Sequence, residues 1–134
     1  MPVRLDSERN RAETAFNDVK EGSGQDFSAE YKSIVVKFPA LLKTNGLVST
    51  IAFLFSKQHC SSGAAHKLLC NQIARWLSNK GIVILGTGST CEEFVNSLVK
   101  MACVEVRRAT NETIAYLNWL KRFAEGMIEK DDDA

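Results

Sequence analysis

Four potential metal ligands lie within twelve residues of the 134-residue sequence: His59, Cys60, His66 and Cys70. His66 and Cys70 are four residues apart, a spacing that puts two side chains on one face of a helix. However, the pairs typical of zinc sites, C-x-x-C or H-E-x-x-H, are missing, and a cysteine within a helix is more often a small core residue. We therefore predict that the chain binds no metal and needs no cofactor.

A glycine pair, Gly86 and Gly88, imitates a phosphate-binding turn in front of a helix. A G-x-x-x-x-G-K-[ST] loop needs a lysine near its end, whereas Glu92 and Glu93 follow here and would repel a phosphate. A dinucleotide fingerprint needs a third glycine and a βαβ unit, and the sequence has neither. Residues 80–90 are therefore interpreted as a connector between two helices.

Nucleophilic catalysis has little support in the sequence. Both histidines lie in one short region, so a triad would need a carboxylate from a distant segment, and no nucleophile elbow is present. Glu92, Glu93 and Glu105 are better explained by a helix start and a solvated helix face. The sequence predicts that the protein is not an enzyme.

Apolar residues recur at helical spacing along the chain, which predicts an all-α fold, a single compact bundle of about six helices. The third helix is apolar nearly all round, so it is expected to form the centre of the bundle. The core residues predicted there are Leu47, Ile51, Leu54 and Phe55. The helices are expected over residues 6–21, from Ser28 to Asn45-Gly46, over 47–58 and 64–79, from the capping box Thr90-x-x-Glu93, and over 110–129.

Local signals predict how the second helix begins and ends. Ser28 is a suitable N-cap, and Asn45-Gly46 is a strong stop because both residues tolerate positive φ. Pro39 lies inside the pattern and predicts a kink or a break. The chain is expected to form a single helical domain over residues 1–130, followed by an acidic tail over 131–134.

The sequence also predicts where the protein is found. The N-terminal stretch MPVRLDSERNRAETAF is too polar for a signal peptide, and the longest apolar run is far shorter than the roughly 20 residues needed to span a bilayer. The four cysteines form no C-x-x-C pair, so they are expected to be reduced thiols. These features predict a cytoplasmic protein without a membrane contact.

Charge is strongly segregated along the chain although the net charge is only +1. Residues 1–30 carry four basic and seven acidic side chains, and residues 92–134 carry six basic and nine acidic ones. Residues 31–91 carry seven basic side chains and no acidic one. A merely solubilising surface usually mixes both signs, whereas a surface that follows a phosphate chain excludes acids. Both interpretations remain open at this point.

Two segments resemble the signature regions of a known family. FPALLKTNGLVSTIAFLFSK (38–57) and YLNWLKRFAEGMI (116–128), together with EYKSIVVK (30–37), are similar to the Cmr small-subunit family of the type III-B CRISPR RNA-silencing effector complex. The resemblance implies a non-catalytic helical subunit that works with the other Cmr subunits in antiviral defence. It also implies that copies stack head-to-tail into a filament beside the guide RNA and the target RNA.

The residues expected to contact RNA follow from the acid-free segment and from the second motif. Lys32 and Lys43 lie within about 20° of each other on the second helix, and Lys37 lies on its flank. The full set is Lys32, Lys37, Lys43 and Lys57, with Lys121 and Arg122 as contacts for RNA or for a neighbouring subunit.

Two other functions are possible from the sequence. One is a helical adaptor that binds only proteins, in which the basic face is incidental. The other is a helix-turn-helix regulator, which is disfavoured because the tight turn at Asn45-Gly46 leads into the most apolar helix rather than a polar recognition helix.

Overall fold

Six helices account for most of the computed structural model, which describes residues 3–60, 63–83 and 91–128, with side chains from residue 8. They are α1 (Val3–Ser23), α2 (Ser28–Asn45), α3 (Leu47–Lys57), α4 (Gly63–Asn79), α5 (Cys91–Val99) and α6 (Cys103–Met127). No strand occurs within these ranges, so the predicted all-α bundle of six helices is confirmed. None of the described helices is long and apolar enough to cross a bilayer.

One hydrophobic core receives side chains from every helix. Leu47, Ile51 and Leu54 of α3 are at most 1% exposed, as predicted. Phe55 is only half-buried, and Phe53 is 42% exposed. The expectation that α3 is the buried centre of the bundle therefore holds for one face only, because α3 packs on α4 and α5 with that face and leaves another to solvent.

The structure of α2 overturns the predicted cap and excludes a break at Pro39, one of the two outcomes predicted there. Ser28 is the first helical residue rather than the cap, since Phe27 occupies the N-cap position without a side-chain cap bond. The helix also continues through Pro39 without a break, and the buried proline ring joins the core beside Phe38. This burial offsets the hydrogen bond that proline cannot donate. The predicted stop is confirmed: Gly46 has φ 85° and its N–H donates to the Leu42 carbonyl at 2.9 Å.

The last helix starts seven residues earlier than the predicted residue 110. Ala109 and Thr113 are buried and continue the apolar stripe toward the N-terminus of α6. As a result, Arg107 and Arg108 lie on a helix, where both are exposed. The capping residue Thr90, the glycine pair at 86–88 and the domain boundary at 130 lie outside the described residues.

A disulfide connects two helices. Cys70 in the middle of α4 and Cys91 at the start of α5 are bonded, with their Cα atoms 5.9 Å apart, and both are buried. The prediction of four reduced thiols is therefore wrong for this pair, while Cys60 and Cys103 are free and exposed. The pair was missed because it depends on the packing of α4 against α5 and not on a short sequence spacing.

The disulfide also bears on the candidate metal ligands. Cys70 is not available as a thiolate, although it lies one turn from His66. Within the described ranges no three His, Cys, Asp or Glu side chains lie close enough to hold a metal ion. The absence of metal remains a prediction, which elemental analysis of purified protein would test.

Candidate nucleic-acid interface

Two of the predicted RNA-binding lysines project freely from α2. Lys37 and Lys43 are exposed, and neither forms an ion pair with any described residue. They lie outside the buried stripe of this helix, which is formed by Tyr31, Val35, Phe38, Pro39 and Leu42. Both ammonium groups are therefore available to a partner.

Lys32 has a structural partner at the end of α6. Its Nζ donates a hydrogen bond of 2.9 Å to the carbonyl of Ile128, the C-cap residue of that helix. A cation at this position satisfies a terminal carbonyl and complements the negative end of the helix dipole. Lys32 therefore fixes α2 to α6, and its charge is less available to a ligand than those of Lys37 and Lys43.

The cations of the second motif lie near this junction. Lys121 precedes Ile128 by seven residues, almost two helical turns, so the two residues lie on the same side of α6, about 10 Å apart along its axis. Lys121 is half-buried and Arg122 is exposed. The structure thus brings Lys32 and Lys121 to the same end of α6, with Arg122 next to them around the helix.

Lys57 ends α3 beside an exposed aromatic ring. Its Nζ lies 5.7 Å from the centroid of Phe53, which makes a T-shaped contact with His66. Lys43 lies just before the corner at which α3 starts, and Lys57 lies at the other end, about 15 Å further on. Lys32 and Lys43 are separated by about 16 Å along α2. The predicted lysines are therefore spread along two consecutive helices and do not form one cluster.

A buried polar network fixes the helices that carry these cations. The Tyr116 hydroxyl donates to Asp18 Oδ2, and Arg75 Nη2 donates to Asp18 Oδ1 at 3.0 Å and to Glu21 Oε1 at 3.1 Å. Burial raises the pKa of Asp18, while the hydrogen bond from Tyr116 and the charge of Arg75 oppose that rise. Arg75 is thus one cation of the acid-free segment whose partners are acids of α1.

The same network reaches α2 through an amide. Gln72 Nε2 donates to the Asp18 carbonyl at 2.9 Å, and its oxygen accepts a 2.6 Å hydrogen bond from the Tyr31 hydroxyl. Burial raises the pKa values of both Tyr31 and Tyr116, so both phenols remain protonated donors. Side chains from α1, α2, α4 and α6 are therefore held in one arrangement.

A second basic surface, which the sequence analysis did not identify, lies between α1, the end of α4 and the start of α6. It is a cleft of about 600 Å³, called the basic cleft below. Its lining residues are Arg11, Lys80, Ile82, Val104, Arg107, Arg108, Asn111 and Glu112. Four cations and one carboxylate give it a net charge of +3.

An ion pair forms the inner wall of the basic cleft. Arg11 binds Glu112 through two hydrogen bonds, Nε to Oε2 at 2.8 Å and Nη2 to Oε1 at 3.1 Å. Trp76 Nε1 also donates to Glu112 Oε2 at 2.8 Å. Both partners of the ion pair have side chains only 14% exposed. Arg11 and Glu112 therefore satisfy each other, and Arg11 is less available to a ligand than the outer cations of the cleft.

The outer cations are weakly engaged. Lys80 Nζ lies 5.4 Å from the Trp76 ring centroid, and Arg108 has only a 3.8 Å contact with Glu105. Arg107 has no ion pair within the described part of the chain. The sequence does contain a signal for these residues. The buried stripe of α6 continues from Thr113 back to Ala109, which places Arg107 and Arg108 on the same helix.

The inner ion pair predicts a specific pH dependence of stability. Burial alone would raise the pKa of Glu112, but hydrogen bonds from Arg11 and Trp76 and the charge of Arg11 outweigh it and lower the pKa below the ordinary 4.5. This stabilisation is complete above pH 4.5 and is lost as the pH falls through the lowered pKa. Glu112→Gln is expected to cost about 1–3 kcal/mol at pH 7. The difference from the wild-type protein should shrink below pH 4.5 in urea melts recorded from pH 3 to 7.

A surface glutamate on the same helix provides the control. Glu105 is 47% exposed at its side chain and contacts only Arg108, so Glu105→Gln should change the free energy of unfolding by less than about 1 kcal/mol at every pH. If Glu112→Gln cost the same at pH 3 as at pH 7, the ion pair would not be the source of the stabilisation.

Comparison with known proteins identifies the family. A family model described as CRISPR-associated protein (Cas_Cmr5) matches residues 7–127. The chain belongs to the Cmr5 family. A Cmr5 relative from Thermus thermophilus, named CRISPR system Cmr subunit Cmr5, is 29% identical over 119 residues, which cover 89% of this chain and 93% of the relative.

The fold agrees with that of a solved Cmr5 structure. The crystal structure of a CRISPR-associated Cmr5 family protein, also from Thermus thermophilus, superimposes with a TM-score of 0.74 at 28% identity. The similarity covers 92% of this chain and 98% of the solved chain. The resemblance to the Cmr small-subunit family is therefore confirmed, and membership makes this chain a Cmr subunit of a type III-B CRISPR system.

Proposed function

We propose that this protein is a non-catalytic small subunit whose copies stack head-to-tail along the guide and target RNA in a cytoplasmic Cmr complex. One observation carries the RNA-binding part: residues 31–91 contain no acid, and Lys37 and Lys43 are exposed without an ion pair among the described residues. Family membership supports the assignment to a Cmr complex. Catalysis belongs to other subunits in this proposal.

The spacing of the lysines supports contact with a phosphate chain. Lys32 and Lys43 lie about 16 Å apart along α2, and Lys57 ends α3, about 15 Å from the start of that helix, so these cations extend over a distance that several phosphates of one strand would span. An ammonium group on a phosphate reads no base edge, so recognition is independent of sequence. A guide complex needs this property, because base pairing with the guide RNA selects the target.

Charge reversal at the two free lysines tests the proposal. Lys37→Glu/Lys43→Glu is expected to weaken target RNA binding by the assembled complex at least tenfold at 0.1 M salt. The slope of log affinity against log salt should fall by about 1.4, or 0.7 for each single-strand phosphate contact that is lost. The melting temperature of the subunit should stay nearly the same, because both side chains are exposed.

The control reverses two positive charges that lie outside the acid-free segment. Arg9 and Lys100 are exposed, and Arg9→Glu/Lys100→Glu should leave the salt slope unchanged. If the Lys37→Glu/Lys43→Glu complex contains all its subunits and binds the target with unaltered affinity and slope, the basic face is only solubilising. The protein-only adaptor is then the better interpretation.

A further inference from the structure

Opposite charges lie at the two ends of α6. The basic cleft surrounds its first turns, and residues 129–134, with the sequence EKDDDA, follow its C-cap. We propose that this acidic segment of one copy binds in the basic cleft of the next copy and so forms the head-to-tail contact. The inference rests on the stacking in the proposed function and names the two surfaces that meet.

The charges of the two surfaces match. The cleft has a net charge of +3, and residues 129–134 carry four acidic side chains and one lysine, a net of −3. Arg107 forms no ion pair among the described residues, Arg108 has only the 3.8 Å contact with Glu105, and Lys80 lies over the Trp76 ring, so three consecutive aspartates can approach these cations. The positive end of the α6 dipole lies at the same place and favours an anion there.

The acidic segment cannot reach the cleft of its own chain. α6 has 25 residues, and Arg108 lies about 30 Å from Ile128 along the axis. Six extended residues span at most about 21 Å. The contact is therefore between molecules, and because it joins different surfaces of identical chains it propagates head-to-tail.

The cations near the C-terminal end of α6 are a weaker site for the same segment. Lys32 already donates to the Ile128 carbonyl, and Glu30 and Glu125 add negative charge close to Lys32 and Arg122 in sequence. The C-terminal end of α6 also carries the negative pole of the helix dipole. Electrostatics therefore favours the cleft of a neighbouring copy over the nearest lysines.

A cross-linking experiment detects the contact directly. Cys103 is free, exposed and the first residue of α6, so it lies beside the cleft. An Asp132→Cys subunit, treated with a short bismaleimide in the reconstituted complex, should give dimers and higher ladders joined through Cys103. Cys103→Ser should abolish the ladder, whereas Cys60→Ser, which removes the other free thiol, should leave it intact.

Charge exchange tests the chemistry of the contact. In the Asp132→Cys background, Arg107→Glu/Arg108→Glu should reduce cross-linking at least fivefold, and adding Asp131→Lys/Asp133→Lys should restore at least half of it. Cross-linking should also decrease as salt rises. Both arginines are exposed, so circular dichroism should confirm an unchanged fold in every variant.

Two results would overturn the proposal. One is a ladder that Arg107→Glu/Arg108→Glu does not change, and if target RNA affinity is lost at the same time, the cleft is an RNA site. The other is a ladder that depends on Cys60 instead of Cys103. The same cross-link can be measured on the purified subunit at high concentration and low salt. A ladder under these conditions reports the contact even if the chain enters no Cmr complex. Failure of the proposed contact is therefore distinguishable from failure of the proposed function.

Discussion

Replacing Leu54 with alanine is expected to lower the free energy of unfolding by about 2–5 kcal/mol. Leu54 is fully buried in the middle of α3, and this helix packs against both α4 and α5. Truncation removes apolar surface from the core and leaves a cavity that a close-packed interior fills only in part. Urea unfolding followed by circular dichroism measures the effect.

The preceding residue on the same helix provides a matched control. Phe53 is 42% exposed, so Phe53→Ala removes a larger side chain from a site where water already reaches the ring. We expect it to cost about 1 kcal/mol or less, mainly through the lost contacts with Lys57 and His66. A loss below about 1 kcal/mol for Leu54→Ala, or equal losses for both variants, would show that α3 does not form part of the core.

Removing the disulfide is expected to destabilise the protein by about 3 kcal/mol, the chain-entropy value for a cross-link between residues 21 positions apart. The variant Cys70→Ala/Cys91→Ala keeps both positions small and apolar. It should melt about 10 °C lower than the wild-type protein under oxidising conditions. Differential scanning calorimetry with and without reductant separates the cross-link from the packing effect.

The effect of reductant on the wild-type protein and on the double variant is the control for this prediction. Wild-type protein should lose most of the same stabilisation when it is reduced, whereas the double variant should be insensitive to reductant. Cys60→Ala/Cys103→Ala, which removes the two exposed free thiols, should change the melting temperature by only about 1–2 °C. Titration of four reactive thiols in the unfolded, unreduced protein would contradict the disulfide.

The cleft proposed to bind the acidic segment and the lysines proposed to bind RNA lie in separate parts of the molecule. Lys37 and Lys43 belong to α2, while Arg107 and Arg108 belong to the start of α6. Charge reversal at one pair should therefore affect RNA binding, and at the other pair the contact between copies. Substitutions that are distant and share no partners usually have additive effects, so the two functions can be tested in one complex.

The sequence alone determined the helical fold and the segregation of charge along the chain. Helical periodicity identified all six helices, because each must bury one apolar face and the spacing of that face is fixed by 3.6 residues per turn. Gly46 determined the corner between α2 and α3 by its positive φ, a property of the residue itself. The family was indicated by the resemblance of the motifs at residues 30–57 and 116–128.

Only the tertiary structure determined which residues meet. The partners Cys70 and Cys91, and likewise Arg11 and Glu112, are far apart in sequence and carry no local signal. Pro39 remains helical because the core buries its ring, which overrides a local preference. The basic cleft depends on three segments that converge, so no single stretch of sequence could show it. Local geometry is set by each residue and its neighbours, whereas contacts between helices depend on how their buried faces pack.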